Sequence, residues 1–356
     1  MSRDLSCLIE NRAGTRSAAA LVALVLALAA MPARGQTLAE LANYAGPDRT
    51  ARLVAGAKKE GAVTLYSSAT IADQSAIVGA FQAKYGIKVQ QWRGSSEDIR
   101  NRALTEYAGS RYDADVAETA GPDMEAMWRE QLLQPVATPA AMALIPQARM
   151  PHGGWIATRL SVFVGAYNTN LVKRADAPKR YEDLRDPKWK GKLGIEQDDA
   201  NWFLTVVSQM GEEKGLALFR DIVATNGISI RKGHTLLSNF VGSGEVPLAL
   251  TSYSYRIEQM KNEGAPVEAL FLPPVVAMPT GAGVFKKAAH PNAALLLLDF
   301  YLTDAQKILA EHDSVPTDPR VKAPPKDLVF VDLPKYLDEG AKWTKLFDET
   351  FVKKAR

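Results

Sequence analysis

Gly61-Ala-Val-Thr-Leu-Tyr-Ser-Ser-Ala-Thr70 opens on a helix stop, runs through a β-rich segment and ends in a string of hydroxyls. Ala62 to Tyr66 reads as a strand, Ser67 to Thr70 as a polar loop, and the residues from about Asp73 to Tyr85 as a helix. The unit then repeats. Gly86 ends the helix, Ile87 to Trp92 is a second strand, and Arg93-Gly94-Ser95-Ser96 leads into a helix reaching about Ala108. Asp115 to Thr119 is a third strand, and Gly121-Pro122-Asp123 opens a helix over 124–131. Strand and helix in alternation specify an α/β fold with a largely parallel sheet. Loops at the carboxyl ends of such strands are where open α/β sheets bind ligands.

Upstream, Leu38, Leu41, Ala42, Ala51, Leu53, Val54 and Ala57 recur at helical spacing, predicting one amphipathic helix closed by Lys58-Lys59-Glu60-Gly61. Before it, Arg12 and Arg16 precede an uncharged Ala/Leu/Val run from Ser17 to Met31, followed by the small-x-small triplet Ala33-Arg34-Gly35. This is the layout of a secretory signal peptide at residues 1–35, which places the mature protein outside the cytoplasm, in the periplasm. The run is shorter than the roughly 20 residues a membrane-spanning helix needs. Cys7 is the single cysteine and leaves with that segment, which excludes a disulfide framework, a thiolate nucleophile and a cysteine-based metal site. Residues 1–35 carry four arginines and two acidic residues, so their removal takes the formal charge from +3 to +1. Such a balance implies no field for nucleic acid.

Downstream, Trp155 to Tyr167 reads as one or two strands, Leu193 to Glu196 as a strand, and 200–210, 212–224 and 234–241 as helices. Val246 to Ser252 is another strand, 272–283 brackets a returning strand, 291–311 is a strongly apolar helix, and 339–351 a final helix. A chain of 356 residues exceeds the usual domain of ~100–150, so two cores are expected. The crossings place residues 36–155 with 278–313 in one lobe and residues 156–277 with 314–356 in the other.

Several segments resemble the periplasmic substrate-binding proteins of ABC importers, in particular their ferric-iron-binding branch. They are Ala57 to Ser68, Phe81 to Val89, Tyr167-Asn-Thr-Asn-Leu171, Asp186-Pro-Lys-Trp-Lys-Gly-Lys192, Gly244-Glu-Val-Pro-Leu-Ala-Leu250, and His290-Pro-Asn-Ala-Ala294 running into Asp299-Phe-Tyr-Leu302. The resemblance implies a two-lobed α/β fold of the type II periplasmic binding class, with mixed sheets flanked by helices and a ligand cleft between the lobes. It further implies a monomeric, non-enzymatic carrier that hands one ligand to the transmembrane subunits of a permease. A secreted hydrolase is the rival class; the chain has no Gly-x-Ser-x-Gly, no P-loop and no His-Glu-x-x-His. A sensor subunit docking on a receptor is a third.

Cleft residues then follow. Ser67, Ser68 and Thr70 on the first loop, Arg93, Ser95 and Ser96 on the second, and Glu118 and Thr119 at the third strand offer hydroxyls, charge and free backbone N–H groups. The same residues also serve as helix caps, since a cap and an anion site use the same donors. Tyr253 and Tyr255, with Arg256 beside them, follow a strand, and on an extended chain positions i and i+2 share a face. Ferric binders of this branch place two adjacent tyrosines here, with a histidine and a glutamate from the first lobe. In this chain Ser254 separates the tyrosines, Thr70 stands near the histidine position and Ala120 near the glutamate. The metal set implied is therefore Tyr253, Tyr255 and Glu118, hard oxygen donors suited to Fe(III) as transported ligand, with no resident cofactor. An organic anion is the competing ligand, with Arg93 and Arg256 pairing to a carboxylate or phosphate and Trp202 walling the cleft. Asp198, Asp199 and Asn201 follow the strand at Ile195, where they could contact a ligand amine or a metal or cap the next helix, and Asp199 reads as the cap. His152, His234, His290 and His312 form no i, i+4 metal pair and read as surface or structural residues.

Overall fold

A computed structural model describes residues 37–353. The segment read as a signal peptide lies outside the described residues. In chain order the elements are α1 (Leu38–Ala42), α2 (Arg49–Glu60), β1 (Ala62–Ser67), α3 (Ile71–Tyr85), β2 (Lys88–Arg93), α4 (Ser96–Ala108), β3 (Val116–Ala120), α5 (Gly121–Arg129) and β4 (Leu133–Gln134). Then come β5 (Ile156–Asn168), β6 (Leu193–Glu196), α6 (Ala200–Met210), α7 (Glu212–Asn226), β7 (Ser229–Arg231), α8 (His234–Ser243), β8 (Leu248–Tyr253), α9 (Ser254–Asn262) and β9 (Val267–Leu270). The chain closes with β10 (Val275–Phe285), α10 (Pro291–Tyr301), α11 (Asp304–Glu311), β11 (Val315–Pro316), β12 (Leu328–Phe330) and α12 (Leu333–Phe347). No helix of the described residues is long and apolar enough to cross a membrane.

The opening stretch folds as its pattern dictates. β1 lies parallel between β2 and β3, pairing Ala62 with Lys88 and Leu65 with Val116, while α3 and α4 make the crossovers. Gly61 and Gly86 close α2 and α3 in the left-handed region, at φ of 77° and 69°, where a Cβ is disfavoured. The main sheet path is β2-β1-β3-β10-β5-β8-β6-β7. β5 is the joint of that path. Its first residues pair antiparallel with β10, Ile156 with Ala282 through Val162 with Ala277, and its last with β8 and β9 from Phe163 to Asn168. All 13 residues of β5 are buried, which requires packing on both faces.

Two apolar clusters support this path. The larger runs from Leu41 and Phe81 to an aromatic nest of Tyr181, Trp202, Phe203, Phe219, Phe347 and Phe351. The smaller gathers Leu160, Val162, Leu237, Val241 and Ile257 around β5 and β8. α12 packs against both α5 and α6, so it braces the two ends of the sheet path at once.

Three sequence expectations are corrected. The helix expected across 38–57 is α1 and α2, interrupted at Gly46-Pro47, because proline lacks the N–H a continuing helix needs. The helix expected across 291–311 is α10 and α11, which part at Leu302-Thr303, where the Thr303 hydroxyl donates back to the Asp299 carbonyl at 2.7 Å. The last helix starts at Leu333 rather than Glu339, capped by Asp332, whose side chain accepts from the Lys335 N–H.

Candidate functional site

The carboxyl ends of β2 and β3 and those of β6 and β8 open onto one cleft of about 910 Å³. Ser95, Ser96, Ala120 and Pro122 line one wall, and Glu196 to Asn201, His234 and Tyr253 the other. The cleft is the ligand crevice expected outside the strand ends of an open α/β sheet.

On the first wall the hydroxyls divide into two roles. Ser68, Ser96 and Thr119 converge: Thr119 Oγ1 donates to Ser68 Oγ at 2.9 Å and Ser96 Oγ donates to the same atom at 3.3 Å. Thr70 caps α3, its side chain accepting from the Asp73 N–H, and Ser95 caps α4 in a reciprocal box with Asp98. Ser67 is fully buried and donates to Glu118 Oε2 at 2.7 Å, so it faces inward. Arg93 Nε donates to the Ala69 carbonyl at 2.8 Å, and Arg256 Nη2 donates to Asn239 Oδ1 at 3.1 Å. The two guanidiniums are each tied to their own neighbourhood rather than forming a pair.

Glu118 is not a cleft residue. It is 0 % exposed, and its other oxygen meets Arg159 Nη1 at 2.5 Å. The reason is positional: β3 is flanked by β1 and β10, so this side chain is enclosed and must be paired with a cation. Trp202 does not wall the cleft either. It is 1 % exposed, on the inward face of α6 among Tyr181, Phe203 and Phe219, where an indole buries the most surface.

The second wall holds residues that the sequence pattern did not bring together. Glu196 ends β6, its Oε1 accepting from the Gly233 N–H at 2.8 Å and its Oε2 from the Asp198 N–H at 2.5 Å. Asp199 stands at the start of α6 but makes no side-chain cap bond; Oδ1 faces His234 Nε2 at 3.1 Å. The cap expected of it is thus replaced by an ion pair across the wall. β6 runs parallel to β7 with Glu196 opposite Arg231, which brings His234, just past that strand, beside the end of β6. That parallel pairing was the signal available, and the 34 residues between Glu196 and Arg231 hid it. His152, His290 and His312 each pair instead with a carboxylate, Glu125 at 2.9 Å, Asp115 at 2.8 Å and Asp73 at 2.8 Å.

Tyr253 lies on this wall and Tyr255 stacks against it, by a different geometry from the one expected. Tyr253 ends β8 and Tyr255 stands in the first turn of α9, so strand alternation does not relate them. Their rings still stack, 5.8 Å apart and 13° from parallel, and His234 sits 4.1 Å from the Tyr253 ring. Burial, with the charges of Asp199 and Glu196 nearby, holds the Tyr253 phenol well above its ordinary value. Burial also raises Tyr255, with Arg159 opposing. Burial and the adjacent Asp199 raise Glu196, while for His234 burial acts downward and is outweighed by Asp199 and Glu196, so its pKa rises. The wall carries more negative than positive charge, and ionising its phenols requires a cation beside them.

The chain is 28 % identical over 271 residues to the iron uptake protein A1 of Synechocystis sp., a match covering 70 % of this chain and 74 % of that protein. It is 30 % identical over 183 residues to the Fe(3+)-binding periplasmic protein of Serratia marcescens, covering 50 % of this chain and 53 % of the relative. Among solved structures, iron-bound HitA from Pseudomonas aeruginosa superposes with a TM-score of 0.69 at 26 % identity, covering 81 % of this chain and 99 % of that one. The family model for bacterial extracellular solute-binding proteins matches residues 66–308, more than half of the sequence, and the fold and crevice described above are of that kind. The chain belongs to the bacterial extracellular solute-binding protein family.

Proposed function

We infer that this protein is the periplasmic solute-binding subunit of an ABC importer and that its cargo is ferric iron. In this reading it is exported by a cleaved signal peptide, acts as a monomer without a resident cofactor, and delivers its cargo to the permease's transmembrane subunits. Two lobes, residues 36–155 with 278–313 and residues 156–277 with 314–356, close on the ligand. The observation that carries the cargo is Tyr253 on the cleft wall, stacked on Tyr255 and beside surplus carboxylate. Phenolate oxygens are hard donors, and a trivalent cation offsets the burial that otherwise keeps these phenols protonated. The relatives named for iron support the same reading. Binding ends in release to the permease, with no covalent step.

The test is spectroscopic. Protein mixed with ferric citrate is expected to develop a visible tyrosinate-to-iron charge-transfer band that disappears in Tyr253→Phe. Absence of the band in the unsubstituted protein overturns the ferric reading. Ser95 and Ser96 at the start of α4, with Ser68 and the buried Thr119 hydrogen-bonded behind Ser96, favour a small organic anion as the second reading, because hydroxyls and N–H groups at a helix start suit a carboxylate or phosphate. That reading takes over if inorganic phosphate or citrate alone raises the melting temperature while no band appears.

A further inference from the structure

Glu196, Asp199 and His234 are the one group of three histidine or acidic residues, among those described, whose donor atoms all lie within 4.8 Å of one another. We propose that these three side chains form a binding site for a divalent first-row transition-metal ion, built entirely on the second wall of the cleft. The site shares the cleft with the cargo proposed above but does not rest on tyrosinate ligation.

Each donor is held by the fold. Glu196 is fixed by the Gly233 and Asp198 N–H groups, and because a carboxylate oxygen accepts at two positions, each still has one to give. Asp199 is 3 % exposed; Oδ1 meets His234, and Oδ2 is buried with no hydrogen-bond partner. His234 Nδ1 is likewise buried without a partner. A simple His–Asp ion pair would need neither Glu196 nor a vacant carboxylate oxygen. Two carboxylates against one imidazole leave the group negative even with His234 protonated. A bound dication satisfies both features, displacing the imidazole proton and taking up the vacant lone pairs.

The chemistry of the donors sets the class of ion. Two carboxylates and one imidazole suit Zn(II), Mn(II), Fe(II) or Co(II), whereas Mg(II) and Ca(II) prefer oxygen alone. Metal bonds of about 2.0–2.2 Å place ligands roughly 3–3.5 Å apart, a contraction that modest side-chain rotation supplies. Because the site lines the cleft, further positions stay open to water or to a bound anion.

Cobalt(II) is the probe, with binding followed by its visible d–d absorption and by calorimetry on the full chain. The unsubstituted protein is expected to bind one Co(II), and Asp199→Asn and His234→Gln are each expected to weaken it at least tenfold. Far-UV circular dichroism and melting temperature check that both variants fold, and Lys214→Ala, on the exposed face of α7 away from the cleft, should bind Co(II) as the parent does. No Co(II) or Zn(II) binding by the parent, or parental affinity in both folded variants, overturns the inference. The two proposals fail separately. Co(II) bound with no ferric band removes the ferric reading alone, and a ferric band without Co(II) binding removes this site alone.

Discussion

At the scale of single residues, Glu118 shows how a charged side chain can be read for the wrong task. Its type and its place at the end of a strand matched a ligand, but strand order put β3 inside the sheet, where Arg159 and Ser67 use both oxygens. Removing one partner of such a pair leaves a buried charge without compensation, which costs about 3–5 kcal/mol. Glu118→Gln is therefore expected to lower unfolding free energy by an amount of that order in urea titration. Pairing it with Arg159→Met should recover part of the loss. Unchanged stability in Glu118→Gln would return the residue to the pool of ligands. Asp199 is the reverse case. Its position before α6 fits a cap, yet its side chain reaches His234 across the wall. Nothing in the local sequence separates these outcomes, because the deciding partner arrives from another strand.

At the scale of elements, what the sequence made legible was periodic or punctuated. β1, β2 and β3, with the helices between them, followed from alternation and from Gly61 and Gly86. The break at Gly46-Pro47 was signalled by that dipeptide and by the gap between Ala42 and Ala51, whereas the one at Leu302-Thr303 was hidden because apolar spacing continues through it. α9 was hidden because Ser254 to Asn262 is polar, and it changed how the tyrosines meet. The hydroxyl loops were legible as a group, but only the structure sorted their hydrogen bonds. Thr70 is a cap, and Ser68, Ser96 and Thr119 are the converging set. Thr70→Ala is accordingly expected to cost about 1 kcal/mol of stability, measured by thermal or urea unfolding, with ligand affinity little changed. A large loss of affinity at unchanged stability would instead make Thr70 a ligand.

At the scale of the whole molecule, the two walls belong to opposite ends of the sheet path, joined through β5 and braced by α12. A ligand shifts the balance between open and closed forms only by its difference in affinity for them. Moving such a balance from 1:99 to 99:1 takes roughly a 10⁴-fold preference. A ligand that touches one wall alone has no such preference, however tightly it binds. Glu196, Asp199 and His234 all stand on the second wall, and Ser96, backed by Ser68 and the buried Thr119, on the first. Divalent metal by itself is therefore expected to bind without closure, and a cargo whose anion reaches Ser95 and Ser96 is expected to close the cleft. Small-angle scattering distinguishes the two. The radius of gyration should be unchanged by Co(II) and should fall with ferric citrate, and the fall should be lost in a Ser95→Ala, Ser96→Ala double variant. Closure by Co(II) alone would mean that the metal bridges the walls, and an unchanged radius with bound ferric citrate would remove the two-lobe closure itself.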